Sequence, residues 1–316
     1  LVTEAVSGAR SAALGFFVGV GSRHERPEEN GAAHFIEHML FKGTARRSAR
    51  QLAMDMDAIG GQVNAYTTKE HTCFYARSLD KHLDRSLDIL SDMLFHSSFT
   101  QEDVEVERGV ILEEIGMYED TPEDLVAERL AAAVYKGTPL ARPILGTQAT
   151  LAPMTGEWLK SWQREHYRPG VLVCALAGSF SQGQVDHLKD CLSALEAAPV
   201  GEQAPAVYRP AVTARKKAIE QNHLILSFPA PTYLDPRRPQ VLLFNSLLGG
   251  GCSSRLFQEV RERRGLCYTV YSYVSDHADT GLLGIYTALS REQESHALET
   301  VCQIVQDLAE HGPTQE

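Results

Sequence analysis

His34-Phe35-Ile36-Glu37-His38 is the stretch on which the reading of this chain turns. It lies in a segment with helical periodicity over residues 31–42, with Asn30 as the predicted N-cap and Gly43 as the predicted stop. At 3.6 residues per turn, His34 and His38 stand one above the other, and Glu37 falls on the same side. Two imidazoles one turn apart can share a metal ion. A carboxylate beside them can take a proton from a water that the ion activates. The order H-x-x-E-H reverses the H-E-x-x-H of other zinc sites. A single His on an apolar helix is usually a satisfied core residue. Two at this spacing, with an adjacent Glu, are better explained by a metal.

A second predicted helix, residues 102–118, carries the next feature. Its apolar stripe is Val104, Ile111, Ile115 and Tyr118. At 100° per residue, Glu107 and Glu114 fall on that stripe and Glu113 on the opposite face. Ionised carboxylates facing a core are costly unless paired or bound to a cation. Glu107 and Glu114 are therefore candidates for a third ligand and for a group supporting the site. The competing reading is a Glu-rich surface helix.

Around these two helices the chain alternates strands and helices. Residues 11–21 read as a buried strand and 51–59 as a helix ending at Gly60-Gly61. Residues 62–67 and 71–79 read as paired strands, and 82–95 as an amphipathic helix with Leu83, Leu87, Leu90 and Leu94 on one side. After Asp120-Thr121-Pro122 come helices at 123–135 and 157–166, a strand at 171–177 and a helix at 181–195. Residues 197–210 are rich in Pro and Ala and read as a linker, which gives domains 1–200 and 201–316.

The second part repeats the plan of the first at an offset of about 210 residues. Strand 224–228 is followed by helix 240–248, Gly249-Gly250-Gly251, helix 254–264, strands 268–274 and 282–289, and helix 292–309. Ala76-Arg77-Ser78-Leu79 in one copy corresponds to Tyr286-Thr287-Ala288-Leu289 in the other. Where the first copy has H-x-x-E-H, the second has Val-Leu-Leu-Phe-Asn, residues 241–245. The expected fold is α+β: two homologous domains, each a mixed, largely antiparallel sheet packed with helices, the second truncated. By the same offset, the natural chain is expected to run about 100 residues beyond Glu316.

Composition narrows the function classes. With 43% hydrophobic and 22% charged residues, this is an ordinary globular chain. A net charge of -11, spread along the sequence, argues against a nucleic-acid binder. No apolar run approaches a membrane span. The six cysteines include no C-x-x-C and do not cluster, which suggests free thiols in a reducing compartment rather than the disulfide set of a secreted protein.

Several stretches, in order, resemble the pitrilysin or inverzincin (M16-type) zinc metallopeptidases, and within them the bacterial branch that is like the mitochondrial processing peptidase. They are residues 31–44 (GAAHFIEHMLFKGT), 61–67 (GQVNAYT), 107–114 (ERGVILEE) with 117–120 (MYED), and 249–268. Together they span nearly the whole chain. The resemblance implies one Zn2+ held by His34, His38 and Glu114, with Glu37 as general base and Glu107 behind the site. It implies that Arg261 and Tyr268, seven residues apart, contact substrate. It also implies that Asn64-Ala65 lie on an edge strand that takes up extended peptide. Without the resemblance, Asn64, Arg261 and Tyr268 read as ordinary sheet packing and helix surface.

The activity so implied is that of a zinc metalloendopeptidase acting on extended, unfolded peptides. Iron, cobalt or manganese could also fill such a site in vitro. The implied partners are peptide substrates and either a second copy or a related, inactive subunit, and the implied compartment is bacterial cytoplasm. The missing half of the second copy would leave the family's closed chamber incomplete, and Ala32-Ala33 is a small departure beside the ligand helix. Two rivals remain. A non-catalytic scaffold or partner subunit predicts a broken metal motif, whereas every ligand type is present here. The S-ribosylhomocysteine lyases share an H-x-x-E-H site but are short single-domain chains, which the duplication argues against.

Overall fold

The computed structural model describes residues 1–193, 195 and 204–313. The predicted domain boundary at 200/201, and residues 197–203 of the predicted linker, lie outside them. In chain order the elements are β1 (Val2–Ala5), β2 (Ser11–Val18), α1 (Ala32–Leu40), α2 (Ala49–Asp57), β3 (Gln62–Thr67), β4 (Thr72–Leu79), α3 (Leu83–His96), α4 (Gln101–Asp120), α5 (Pro122–Val134), α6 (Gln148–Leu151), α7 (Gly156–His166), β5 (Leu172–Gly178), α8 (Gln182–Ser193), β6 (Asn222–Ala230), α9 (Arg238–Gly249), β7 (Thr269–Asp276), β8 (Gly281–Leu289) and α10 (Glu294–His311). A π-helical turn, Phe257–Glu262, occupies most of the predicted helix 254–264.

Two compact units result. One comprises Leu1–Met117 and Arg142–Gln203, the other Tyr118–Ala141 and Ala204–Glu316. The first unit holds a five-stranded sheet in the order β1-β5-β2-β4-β3. The β1–β5 pair is parallel and the other pairs are antiparallel. Side chains alternate across a strand. On β2 that alternation turns Ala12, Leu14, Phe16 and Val18 to the core, beside Phe74 and Ala76 of β4 and Cys174 and Leu176 of β5. The layer over them is Phe35, Ile36, Met39 and Leu40 of α1, Leu87 and Leu90 of α3, and Leu159 and Trp162 of α7. β1 escaped the sequence reading because its four residues are all exposed. Backbone pairing with β5 holds it, and no hydrophobic alternation marks it.

β3 is the last strand of this sheet. Val63, Ala65 and Thr67 are half-buried toward the α1 side, while Gln62, Asn64 and Tyr66 are exposed.

The second unit has a three-stranded antiparallel sheet ordered β6-β8-β7. That is the β2-β4-β3 arrangement of the first unit, so the repeated sequence plan folds into the same local topology. Leu248 of α9, Leu256, Val260, Ile285 of β8 and Ala297 and Val301 of α10 form its core. Leu130 and Val134 of α5 pack with Tyr135, Leu140, Ala206 and Leu282 in a smaller cluster of this unit. All six cysteines are free thiols. Among the described residues, no helix is long and apolar enough to cross a membrane.

Candidate metal centre

The site begins with how α1 is started. The N-cap is Gly31 rather than the predicted Asn30, and it has φ of 101°. A Cβ there would lie 2.8 Å from the Leu145 carbonyl oxygen and 2.8 Å from Leu151 Cδ2, so only glycine fits this left-handed position. Gly31 offers no capping side chain. Glu25, which precedes the helix, supplies the acceptor. Its carboxylate takes the backbone N–H of Gly31 (2.9 Å) and of Ala33 (2.9 Å), and Asn30 Nδ2 donates to it at 2.8 Å. A buried carboxyl group is thus seated where the helix's unpaired N–H groups need an acceptor. Burial pushes the Glu25 pKa up to about 7, against the pull of those donors and of the nearby Arg142.

From this fixed start, α1 aims His34 and His38 toward α4. Their rings lie 4.6 Å apart, centroid to centroid. His34 Nε2 and His38 Nε2 are each 3.6 Å from Glu114 Oε2. Within the described residues, His34, His38 and Glu114 form the one group of three or more ligand-type side chains close enough to share a metal. Tetrahedral ligands at zinc bond lengths stand about 3.3 Å apart, so this spacing fits the ion with small adjustments. Glu113 is exposed, as the stripe reading requires.

The electrostatics suit ligation. Burial, with the charge of His38 beside it, brings the His34 pKa down to about 4, so the ring is neutral at pH 7 and able to ligate. Burial also opposes charge on His38, but its contacts with Glu114 and Glu107 outweigh burial and raise its pKa. The His38 contact, above all, holds Glu114 below the usual carboxylate range.

Glu107 lies behind the ligands, 3% exposed. One of its oxygens is 3.0 Å from His38 Nδ1 and the other is 2.5 Å from Lys42 Nζ. His38 is therefore oriented by a carboxylate, the usual outer partner of a metal-binding imidazole. His34 differs: its buried Nδ1 has no hydrogen-bond partner among the described residues, so no carboxylate orients that ring from behind. Glu37, one residue before His38, accepts a hydrogen bond from Thr67 Oγ1 at 2.5 Å. Burial pushes the Glu37 pKa up, helped by the charge of Glu114 and opposed by Thr67 and His38.

The structure thus gathers His34, Glu37, His38, Glu107 and Glu114 in the first unit. Asn64 and Ala65 sit on the edge strand β3 of the same unit, where Asn64 Oδ1 accepts from the Ala65 N–H at 2.9 Å. Arg261 and Tyr268 belong to the second unit. The Arg261 guanidinium lies 4.9 Å from the Tyr268 ring centroid and 4.6 Å from that of Phe257, and Tyr268 is 76% exposed. Three contributors escaped the sequence reading: Glu25, Lys42 and Thr67. Lys42 had one available signal, since it stands at i+4 from His38.

Comparison with known proteins finds family matches over nearly the whole chain. Residues 1–148 match the family described as insulinase (peptidase family M16), and residues 153–316 match the peptidase M16 inactive domain. The chain is 43% identical over 316 residues to an uncharacterized zinc protease of Bacillus subtilis, YmxG, covering 99% of this chain and 77% of that one. It is 44% identical over 325 residues to an uncharacterized zinc protease of Streptomyces coelicolor, covering 99% of this chain and 71% of the relative. Among solved structures, a peptidase M16 inactive domain from Pseudomonas fluorescens superposes with a TM-score of 0.92 at 23% identity, covering 99% of this chain and 77% of that one. A protease from Helicobacter pylori superposes with a TM-score of 0.89 at 19% identity, covering 99% and 78%. At those identities the two structures speak for the fold alone.

Proposed function

This chain belongs to the insulinase (M16) peptidase family, and from that premise we propose that it is a zinc-dependent endopeptidase that hydrolyses extended, unfolded peptides. The observation that carries the proposal is the convergence of two neutral-capable imidazoles and one carboxylate within ligand range, with a second carboxylate on the same helix face. His34, His38 and Glu114 would hold the ion. Bound there, Zn2+ would lower the pKa of a water toward about 7 and polarise a carbonyl oxygen.

The chain's own residues do the rest. Glu37 takes the proton of the attacking water and passes it to the leaving amine. Burial raises its proton affinity, which eases the first transfer, the uptake of the water's proton. Glu107 keeps His38 turned so that Nε2 faces Glu114. β3 supports the substrate assignment: it ends the sheet, so an extended peptide can add to it through backbone hydrogen bonds beside Asn64 and Ala65. Arg261 and Tyr268 are assigned to substrate contact on the family resemblance. A second copy or a related subunit is the proposed partner.

The test is cleavage of a quenched, unstructured peptide by wild type and by Glu37→Gln at matched zinc content. Loss of activity by at least about a hundredfold, with zinc retained, supports both the reaction and the base. Bound zinc without cleavage in the wild type would overturn the peptidase reading for the chain acting alone.

A further inference from the structure

We propose that Thr67 is a positioning residue that aims the Glu37 carboxylate. The inference rests on the peptidase reading for its catalytic meaning, but its geometric content stands alone. Thr67 is the last residue of β3 and one of the three on that strand facing inward. Its hydroxyl has a single proton to donate. Two acceptors lie within reach: Glu37 Oε2 at 2.5 Å and Thr72 Oγ1 at 3.5 Å. Distance assigns the proton to Glu37, since a hydroxyl-to-carboxylate bond is short and a 3.5 Å contact is weak. Thr72 donates its own proton to the Val20 carbonyl at 3.0 Å, so toward Thr67 it is an acceptor only, and the distant one of the two.

The consequence follows from what else surrounds Glu37. α1 fixes its backbone, but a glutamate has three rotatable bonds beyond Cα. Among the described residues, Thr67 gives the carboxylate its hydrogen bond. With Oε2 engaged, Oε1 is the oxygen left to accept a proton. The anchor stands on the strand proposed to receive peptide, 30 residues from Glu37 in sequence. A peptide that adds to β3 and the hydroxyl that anchors the proton-handling carboxylate therefore share one rigid element. Such placement contributes to rate through orientation rather than through affinity.

Thr67→Val keeps the β-branched shape and strand preference and removes only the donor. Thr67→Ser restores it. Both are compared with wild type by crystallography of the metal-free proteins, by zinc affinity and by peptide cleavage. The expected result is a Glu37 side chain displaced in Thr67→Val and restored in Thr67→Ser. Zinc affinity should be unchanged within about twofold. The kcat should fall roughly 10- to 100-fold in the Val variant, with KM nearly constant, and recover in the Ser variant. A Glu37 carboxylate that stays in place in Thr67→Val overturns the proposal whether or not the protein cuts peptides. So does a loss confined to KM, or a loss of zinc. Wild type that binds zinc and cuts nothing defeats the peptidase reading, while the crystallographic comparison still decides the role of Thr67.

Discussion

Lys42 Nζ lies 2.5 Å from Glu107 Oε1, just past the end of the helix that carries both histidines. The other Glu107 oxygen meets His38 Nδ1. One buried carboxylate is thus shared between a lysine and a candidate ligand. The lysine offsets part of the cost of burying that charge and leaves the second oxygen to orient the imidazole.

Removing the lysine should therefore weaken the metal site without touching a ligand. Lys42→Met is expected to raise the zinc Kd by roughly tenfold. Competition against a chromophoric chelator measures this. An unchanged Kd would show that Glu107 holds its place unaided.

The two neighbouring glutamates of α4 should behave in opposite ways. Glu114→Gln removes a candidate ligand and should bring zinc content, measured by atomic absorption after dialysis, close to zero. Glu113→Gln, exposed on the opposite face, should leave zinc content at the wild-type level. Equal loss in both would mean that the helix faces are misassigned.

Gly31→Ala tests the start of the ligand helix. The left-handed backbone and the two 2.8 Å approaches leave no room for a Cβ. A destabilisation of about 2–4 kcal/mol is expected, read as a lowered midpoint in urea. A variant as stable as wild type would sink this account of the cap.

Glu25 predicts a pH dependence of stability. Its folded pKa, about 7, lies above the ordinary value of 4.5. Between those values the folded chain holds a proton that the unfolded chain releases. Stability contributed by this residue therefore falls as pH rises from about 4.5 to about 7, by at most about 3 kcal/mol, and is level above that. Urea unfolding of wild type and Glu25→Gln across pH 5 to 8 isolates the effect. The gap between them should move against the wild type as pH rises. A constant gap would mean that the helix N–H groups keep Glu25 ionised throughout.

Parts of the site were legible because they are local. His34, Glu37 and His38 share a helix face by the 3.6-residue period alone, and Glu107 and Glu114 share the inward stripe of α4 by the same rule. The duplication was legible because a repeated order of strands, glycines and helices survives in the sequence. Asn30 failed as the N-cap because capping preference ranks residue types, whereas here a carboxylate from outside the helix supplies the acceptor.

The sequence by itself determined the α+β class, the repeated plan, the motif helix and the identity of the candidate ligands. Each of these is written in spacing along one element or in the order of elements. Tertiary structure decided that Thr67 meets Glu37, that Lys42 meets Glu107, that Glu25 starts α1, and that β1 joins the sheet in parallel beside β5. Those contacts join residues of different elements, or, for β1, involve only backbone groups. Periodicity constrains which way a side chain faces, not which element packs opposite it. That second choice is made when the α1 layer closes over the sheet.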